Sequence, residues 1–197
     1  MVCAACLERW NVQVAYENKL LHITALERHG QYDEALACLD AILEANSERD
    51  RDGWLARSIA HHVVLVLLDA GRYPEALQAC RAWESLGFAD VSERWQHATA
   101  TGHALEGLGR DGEAVAALED ALGYEDPKHL PSVLGVLTEL VRLSEKIGQP
   151  VDPKWLRIAE AVAERYGVEM PARDSPSVAI LALEEMTRGK LPKRPSE

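Results

Sequence analysis

The chain has 197 residues, of which 47% are hydrophobic and 27% charged, and its formal net charge at pH 7 is −11. This composition is typical of a packed globular protein and excludes a disordered chain. Because the negative charge would repel a phosphate backbone or an anionic membrane surface, we expect neither nucleic acid nor membranes as partners. A single Phe among abundant Ala, Leu and Glu favours helices over strands.

Three segments along the chain are nearly the same and predict a repeated helical hairpin. They read Gly30-Gln-Tyr-Asp-Glu-Ala-Leu36, Gly71-Arg-Tyr-Pro-Glu-Ala-Leu77 and Gly109-Arg-Asp-Gly-Glu-Ala-Val115. A fourth, weaker copy begins at Gly148, and the copies follow one another at intervals of 41, 38 and 39 residues. Gly can take the left-handed conformation that ends a helix, and the acidic residues that follow it suit the start of the next helix.

Further Gly, Pro and capping residues predict where the other helices begin and end. Asp90-Val-Ser-Glu93 has the pattern of a capping box, and Asp152-Pro153 and Ser175-Pro176 each place an N-cap before a Pro. We therefore predict nine helices and no sheet, in chain order at 8–29, 32–46, 52–70, 73–86, 91–108, 111–122, 131–147, 153–166 and 176–188. The predicted fold is all-α, with about four antiparallel hairpins and a C-terminal capping helix.

The third hairpin resembles a tetratricopeptide repeat. Within Thr101–Leu122 it has the small residue of that family at Gly102, the turn Gly at Gly109, and small residues at Ala114 and Ala121. The first two hairpins match mainly around their turns, through Gly30, Tyr32, Ala35 and Gly71, Tyr73, Ala76. The resemblance covers about residues 15–166 and implies a right-handed α-solenoid.

We expect one repeat domain at 1–189, followed by a short flexible tail at 190–197. Its predicted units are 8–46, 52–87, 91–123, 131–167 and a cap at 175–189.

The resemblance also implies a binding surface, because in this family the first helices of the hairpins line a concave groove that holds a peptide or protein. Alignment on the turn Gly carries the groove-facing positions to a polar set of residues: Glu17, Thr24, Glu27, Arg28, His61, Asp69, Gln96, Thr99, His103, Glu106, Thr138, Arg142 and Glu145. The alternative is that these residues form an exposed helix face without a function.

Other patterns in the sequence point only weakly to chemistry. Cys3 and Cys6 have the spacing of half a zinc site or of a redox pair, but no second half follows. Cys38 and Cys80 are predicted to pack in the core, and the Trp residues to act as structural anchors. No nucleophile elbow, phosphate-binding loop or recurrent His–carboxylate ligand pattern is present. We therefore predict no enzyme activity, no catalytic or metal-binding residues and no cofactor.

The function that these features favour is a protein-interaction module, an adaptor or chaperone-like scaffold, whose protein or peptide partner has basic character. An alternative is an immunity or antitoxin-type protein that neutralises a basic effector, and a third is a metal- or thiol-dependent protein that uses Cys3 and Cys6. The N-terminus lacks the pattern of a signal peptide, so a cytoplasmic location is expected.

Overall fold

The computed structural model describes residues 4–50, 53–124, 130–165 and 180, and these residues form helices without any strand. The α-helices are α1 (Ala4–Arg28), α2 (Tyr32–Asn46), α3 (Trp54–Asp69), α4 (Tyr73–Ser85), α5 (Val91–Gly107), α6 (Asp111–Gly123), α7 (Leu130–Lys146) and α8 (Pro153–Arg165). A short 3₁₀ turn, Ser47–Arg49, follows α2. Consecutive helices pair as four hairpins, which confirms the predicted all-α repeat.

The predicted helix boundaries agree with these within a few residues, with two exceptions. Helix α1 already includes Ala4, the first described residue, and so extends at least four residues beyond the predicted start at residue 8. The 3₁₀ turn was not predicted. The predicted capping helix at 176–188 lies outside the described residues except for Ile180, which is helical and fully buried. The predicted tail at 190–197 also lies outside them, and the division into one domain stays a prediction.

Each hairpin closes with the same backbone turn, which explains why the same short motif recurs in the sequence. The four turn glycines have left-handed φ angles between 69° and 72°. The residue after each Gly donates its backbone N–H to the carbonyl five residues earlier, as in a Schellman motif. These bonds are Gln31 to Leu26 at 2.9 Å, Arg72 to Leu67 at 2.8 Å, Arg110 to Leu105 at 2.9 Å and Gln149 to Ser144 at 2.8 Å.

The predicted N-cap Asp90 at the start of α5 is confirmed, and the Glu93 side chain reaches back to Ala89, one residue before the backbone N–H that a capping box uses. The Asp90 carboxylate accepts from the backbone N–H of Glu93 at 2.9 Å, and the Glu93 carboxylate accepts from the backbone N–H of Ala89 at 2.8 Å. Glu93 also forms an ion pair of 3.3 Å with Arg57 of α3. The cap therefore fixes both the start of α5 and its position against the preceding hairpin.

Small residues set the spacing within and between hairpins. A Cβ at Gly102 would lie 2.7 Å from the Leu118 side chain and 3.5 Å from the Ala114 carbonyl oxygen, and Ala114 is fully buried. Helices α5 and α6 therefore touch where the sequence predicted contact. Between the second and third hairpins, the ring of Tyr73 occupies the space that a side chain at Gly107 would need.

The hydrophobic core runs along the stack as overlapping clusters. Ile23, Leu39 and Leu55 join α1, α2 and α3, and a larger cluster joins α5 to α8 and includes Ile180. Between them Val64 and Trp83 pack with α5. Each hairpin thus buries its apolar face against its neighbours, as in other repeat proteins. None of the helices in the described ranges is long and apolar enough to cross a membrane.

Candidate partner-binding surface

The first helices of the four hairpins, α1, α3, α5 and α7, lie side by side and form what we call the first-helix layer. Polar contacts connect neighbouring members of this layer. The Tyr16 hydroxyl of α1 lies 2.8 Å from Nδ1 of His62 in α3, and Arg57 of α3 pairs with Glu93 of α5. His103 of α5 contacts Glu139 of α7. All thirteen residues of the predicted groove are carried by these four helices.

Four charged side chains connect α5 and α7. His103 Nε2 lies 2.8 Å from the Glu139 carboxylate. Arg142 forms an ion pair with Glu106 and a longer one, at 3.5 Å, with Glu139. Because each carboxylate in this group has a cationic or imidazole partner, this part of the layer is largely neutralised by its own chain.

These contacts shift the pKa values of the pair formed by His103 and Glu139 in opposite directions. The hydrogen bond to Glu139 raises the pKa of His103 above its usual value, although burial opposes this. Burial alone would raise the pKa of Glu139, but the hydrogen bond with His103 and the charges of His103 and Arg142 outweigh it and lower that pKa. The contact is therefore strongest when the imidazole is protonated and the carboxylate is ionised.

The acidic residues at the other end of the layer are arranged differently. Partial burial, together with the negative charge of Asp69 in α3, raises the pKa of Glu27 in α1. Among the described residues no Lys or Arg forms an ion pair with either carboxylate, in contrast to Glu106 and Glu139. Glu27 and Asp69 are therefore not neutralised by an ion pair in the way that Glu106 and Glu139 are.

Two rings of α3 are engaged in packing. His61, one of the predicted groove residues, stacks on the buried ring of Trp83 with centroids 4.9 Å apart. Its neighbour His62 contacts Tyr16, and burial lowers the pKa of its imidazole although a hydrogen bond with the Ser58 carbonyl opposes the shift. The His61 ring thus packs within the second hairpin, against a buried residue of α4.

The other predicted residues vary in exposure. Thr24, Arg28, Asp69 and Glu145 are exposed, as is Glu17, whose carboxylate accepts from Gln13 at 2.9 Å. Gln96 and Thr99 are half-buried, and the half-buried Thr138 donates its hydroxyl to the Leu134 carbonyl at 3.0 Å. Thr138 therefore uses its only hydroxyl proton within its own helix.

The sequence did not single out Glu139 or Leu65. Glu139 lies 36 residues after His103, the same separation as between Glu106 and Arg142, so a search for opposite charges at about one repeat length would have found both pairs. Leu65 lies one turn from both His61 and Asp69, and 37% of its surface is exposed. It offers an apolar contact one helical turn from Asp69.

The candidate metal and thiol positions are placed as follows. Cys3 lies outside the described residues, and Cys6 lies in α1. Cys80 is buried, which raises the pKa of its thiol, and Cys38 is half-buried. Within the described part of the chain, no three His, Cys, Asp or Glu side chains come together as they would around a metal ion. Trp83, Trp95 and Trp155 are buried as structural anchors.

Repeated hairpins with identical turns and a continuous core define a tetratricopeptide-like helical repeat. The structure is similar to two crystal structures of a protein assigned as a kinesin light chain, from Podosopora anserina, with nearly identical TPR-like repeats; the second is a single-residue variant. The TM-scores are 0.60 and 0.61 at 16% sequence identity, over 91% of this chain and 89% or 88% of theirs. This likeness shows the fold. No protein-family model matches the sequence, and no curated protein matches it.

Proposed function

We propose that the chain is a protein-interaction scaffold, without catalytic activity of its own, which holds a protein or peptide with a basic segment against the first-helix layer. The observation that carries this proposal is the contrast along that layer. Glu106 and Glu139 are paired with Arg142 or His103, whereas neither Glu27 nor Asp69, whose charge raises the pKa of Glu27, forms an ion pair with a Lys or Arg of the described residues. A Lys or Arg side chain of a partner would supply the missing charge.

The chemistry of this surface fits a steering role for the acidic pair. Charges at the rim of an interface mainly raise the association rate, while buried apolar contacts give most of the affinity. Leu65 provides a neighbouring apolar contact. The overall charge of −11 acts in the same direction and selects against anionic competitors. The proposal includes a cytoplasmic location, where such adaptors meet their clients.

The test begins by isolating partners from the native host with the purified chain and identifying them by mass spectrometry. Association and dissociation rates of the main partner are then measured with Glu27→Gln combined with Asp69→Asn. These changes keep the side-chain shapes, so we expect the association rate at low salt to fall about threefold or more, with a smaller change in dissociation.

The matched control is Asp40→Asn combined with Glu44→Gln, two exposed positions on α2. It makes the same change in net charge away from the first-helix layer. Equal effects of the two double variants, or no effect of either, would place the binding surface elsewhere. A partner that is a basic toxin would instead assign the chain as a neutralising protein, and a secretion or motor component would assign it as an adaptor or chaperone.

A further inference from the structure

Helix α1 has an exposed apolar stripe on the side facing away from the stack. Val14, Leu21 and Ala25, with the polar Asn18 between them, lie on one face because they are spaced by three and four residues. All four are exposed, and Leu21 is the most exposed large apolar residue of the described part, at 74% of its surface. The opposite face of α1, with Tyr16 and Ile23, is buried against the second helix and α3.

Comparison with the equivalent positions of α3 shows that this stripe corresponds to a surface on which hairpins pack. The turn glycines of the first two hairpins are 41 residues apart, so the stripe corresponds to Leu55, Ile59, His62 and Val66 of α3. Leu55, Ile59 and Val66 are almost completely buried in the cluster shared with the first hairpin, and His62 contacts Tyr16. In α3 these positions therefore pack against the preceding hairpin, whereas in α1 the equivalent positions are exposed to solvent.

The far end of the stack is not open in the same way. Ile180, which follows α8 in the chain, is fully buried in the cluster formed by α5 to α8. Stacking of one copy's C-terminal end on the α1 stripe of another would compete with that segment. Pairing of two α1 stripes requires no such displacement.

The charges beside the stripe also fit a symmetric pair. Glu17 and Arg28 lie on the same flank of α1, because eleven residues make about three helical turns. A two-fold axis perpendicular to two antiparallel helices brings the same flanks of both copies together. With Leu21 packed on Leu21, Glu17 of one copy lies within about one turn of Arg28 of the other, and this happens twice.

We infer that the outer face of α1 is a self-association surface, on which a second copy of this chain packs its own α1 in antiparallel orientation through Val14, Leu21 and Ala25. The contact does not require the proposed partner, although Glu17 and Arg28 also belong to the predicted groove; Leu21 does not, so its substitution tests the dimer separately from partner binding. It makes a two-fold dimer in which the two stacks extend in opposite directions from the paired helices.

The experiment measures the dissociation constant of the purified full chain by sedimentation velocity over a dilution series. We expect reversible dimers, and we expect Leu21→Gln to raise the dissociation constant at least about tenfold, since one substitution removes the central contact from both copies. Gln keeps a high helix propensity, and Leu21 is exposed, so circular dichroism should not change. The control Leu86→Gln, at an exposed position after α4, should leave the dissociation constant unchanged.

A charge exchange then tests the orientation. Glu17→Arg alone and Arg28→Glu alone should each weaken the dimer several-fold, and the variant carrying both should recover it to within about threefold of the original chain. A chain that stays monomeric at every concentration would overturn the inference. So would a dimer that is insensitive to Leu21→Gln, or a double charge exchange that fails to restore association.

Discussion

At the scale of single residues, Ala114 limits how closely α5 and α6 approach. It is fully buried, and its backbone lies against Gly102. Ala114→Leu adds a branched side chain where no space exists, so we expect the free energy of unfolding to fall by about 1–3 kcal/mol. Ala116→Leu is the matched control, because Ala116 lies in the same helix but is exposed. Equal midpoints for both variants in urea unfolding would show that this helix pair has a different register.

The contact between His103 and Glu139 predicts a pH dependence of stability. The pKa of His103 is raised in the folded chain, so its stabilising effect is fully present below the unfolded value of about 6.5 and is lost as pH rises through the folded pKa. We expect the destabilisation by His103→Gln to be larger at pH 6 than at pH 8. Its size should stay below about 1 kcal/mol, because the imidazole is 42% exposed and the pair is screened by solvent.

The matched comparison for this prediction is His62, whose pKa is shifted in the opposite direction. Burial lowers it, so the unfolded chain takes up a proton more readily and stability falls as pH drops from about 6.5 through the folded pKa. The destabilisation by His62→Gln should therefore shrink at low pH, whereas that by His103→Gln grows. Both are measured by denaturant unfolding at a series of pH values. The same slope for both variants would contradict the assignment of His103.

The sequence could assign residues such as His103, Glu106 and Arg142 to first helices, because alignment on the turn Gly fixes their positions along the chain. It could not identify which side chains neutralise one another. Glu139 meets His103 only because α7 lies against α5 at a particular offset, and that offset depends on the packing between hairpins. Likewise, nothing local in the sequence indicates that His61 stacks on Trp83.

At the scale of the elements, the turn glycines require a conformation that other residues adopt at a cost. Gly71 has a φ of 69°, and a Cβ there would meet no neighbouring atom, so the effect of Gly71→Ala comes from the backbone alone. We expect the free energy of unfolding to fall by about 1 kcal/mol. Gly112→Ala is the matched control, since Gly112 lies in the first turn of α6 in open space, and it should be neutral or stabilising. The midpoints of thermal unfolding of both variants measure this difference.

Local signals also explain which helix boundaries could be predicted. The turns at Gly30, Gly71 and Gly109 and the cap at Asp90 depend on residues next to the boundary, and these were placed correctly. The start of α1 was not, because the segment from Ala4 to Leu7 contains neither a cap nor a helix-breaking residue.

At the scale of the whole molecule, the stack should tolerate removal of complete hairpins from its C-terminal end better than division of a hairpin. Stability in such arrays is the sum of repeat and interface contributions. A chain ending at Tyr124 should keep α1 to α6 folded, with a lower unfolding midpoint. A chain ending at Arg110 lacks α6, and this exposes the face of α5 that carries Gly102. Compared with the chain ending at Tyr124, its helical circular-dichroism signal should therefore fall by more than the loss of the residues of α6 alone would cause. Circular dichroism measures both; complete unfolding of the chain ending at Tyr124 would show that the core is a single cooperative unit.

The ring of Tyr73 against Gly107 has a consequence for the shape of any bound ligand. The contact lies between the second and third hairpins, so it helps to set the angle between them. A side chain added at position 107 would change the angle between these two hairpins. The resulting displacement of α1 relative to α7 increases with their distance from the contact. Under the proposed function, the length of peptide that would match the first-helix layer would then depend on a position that need not touch the peptide.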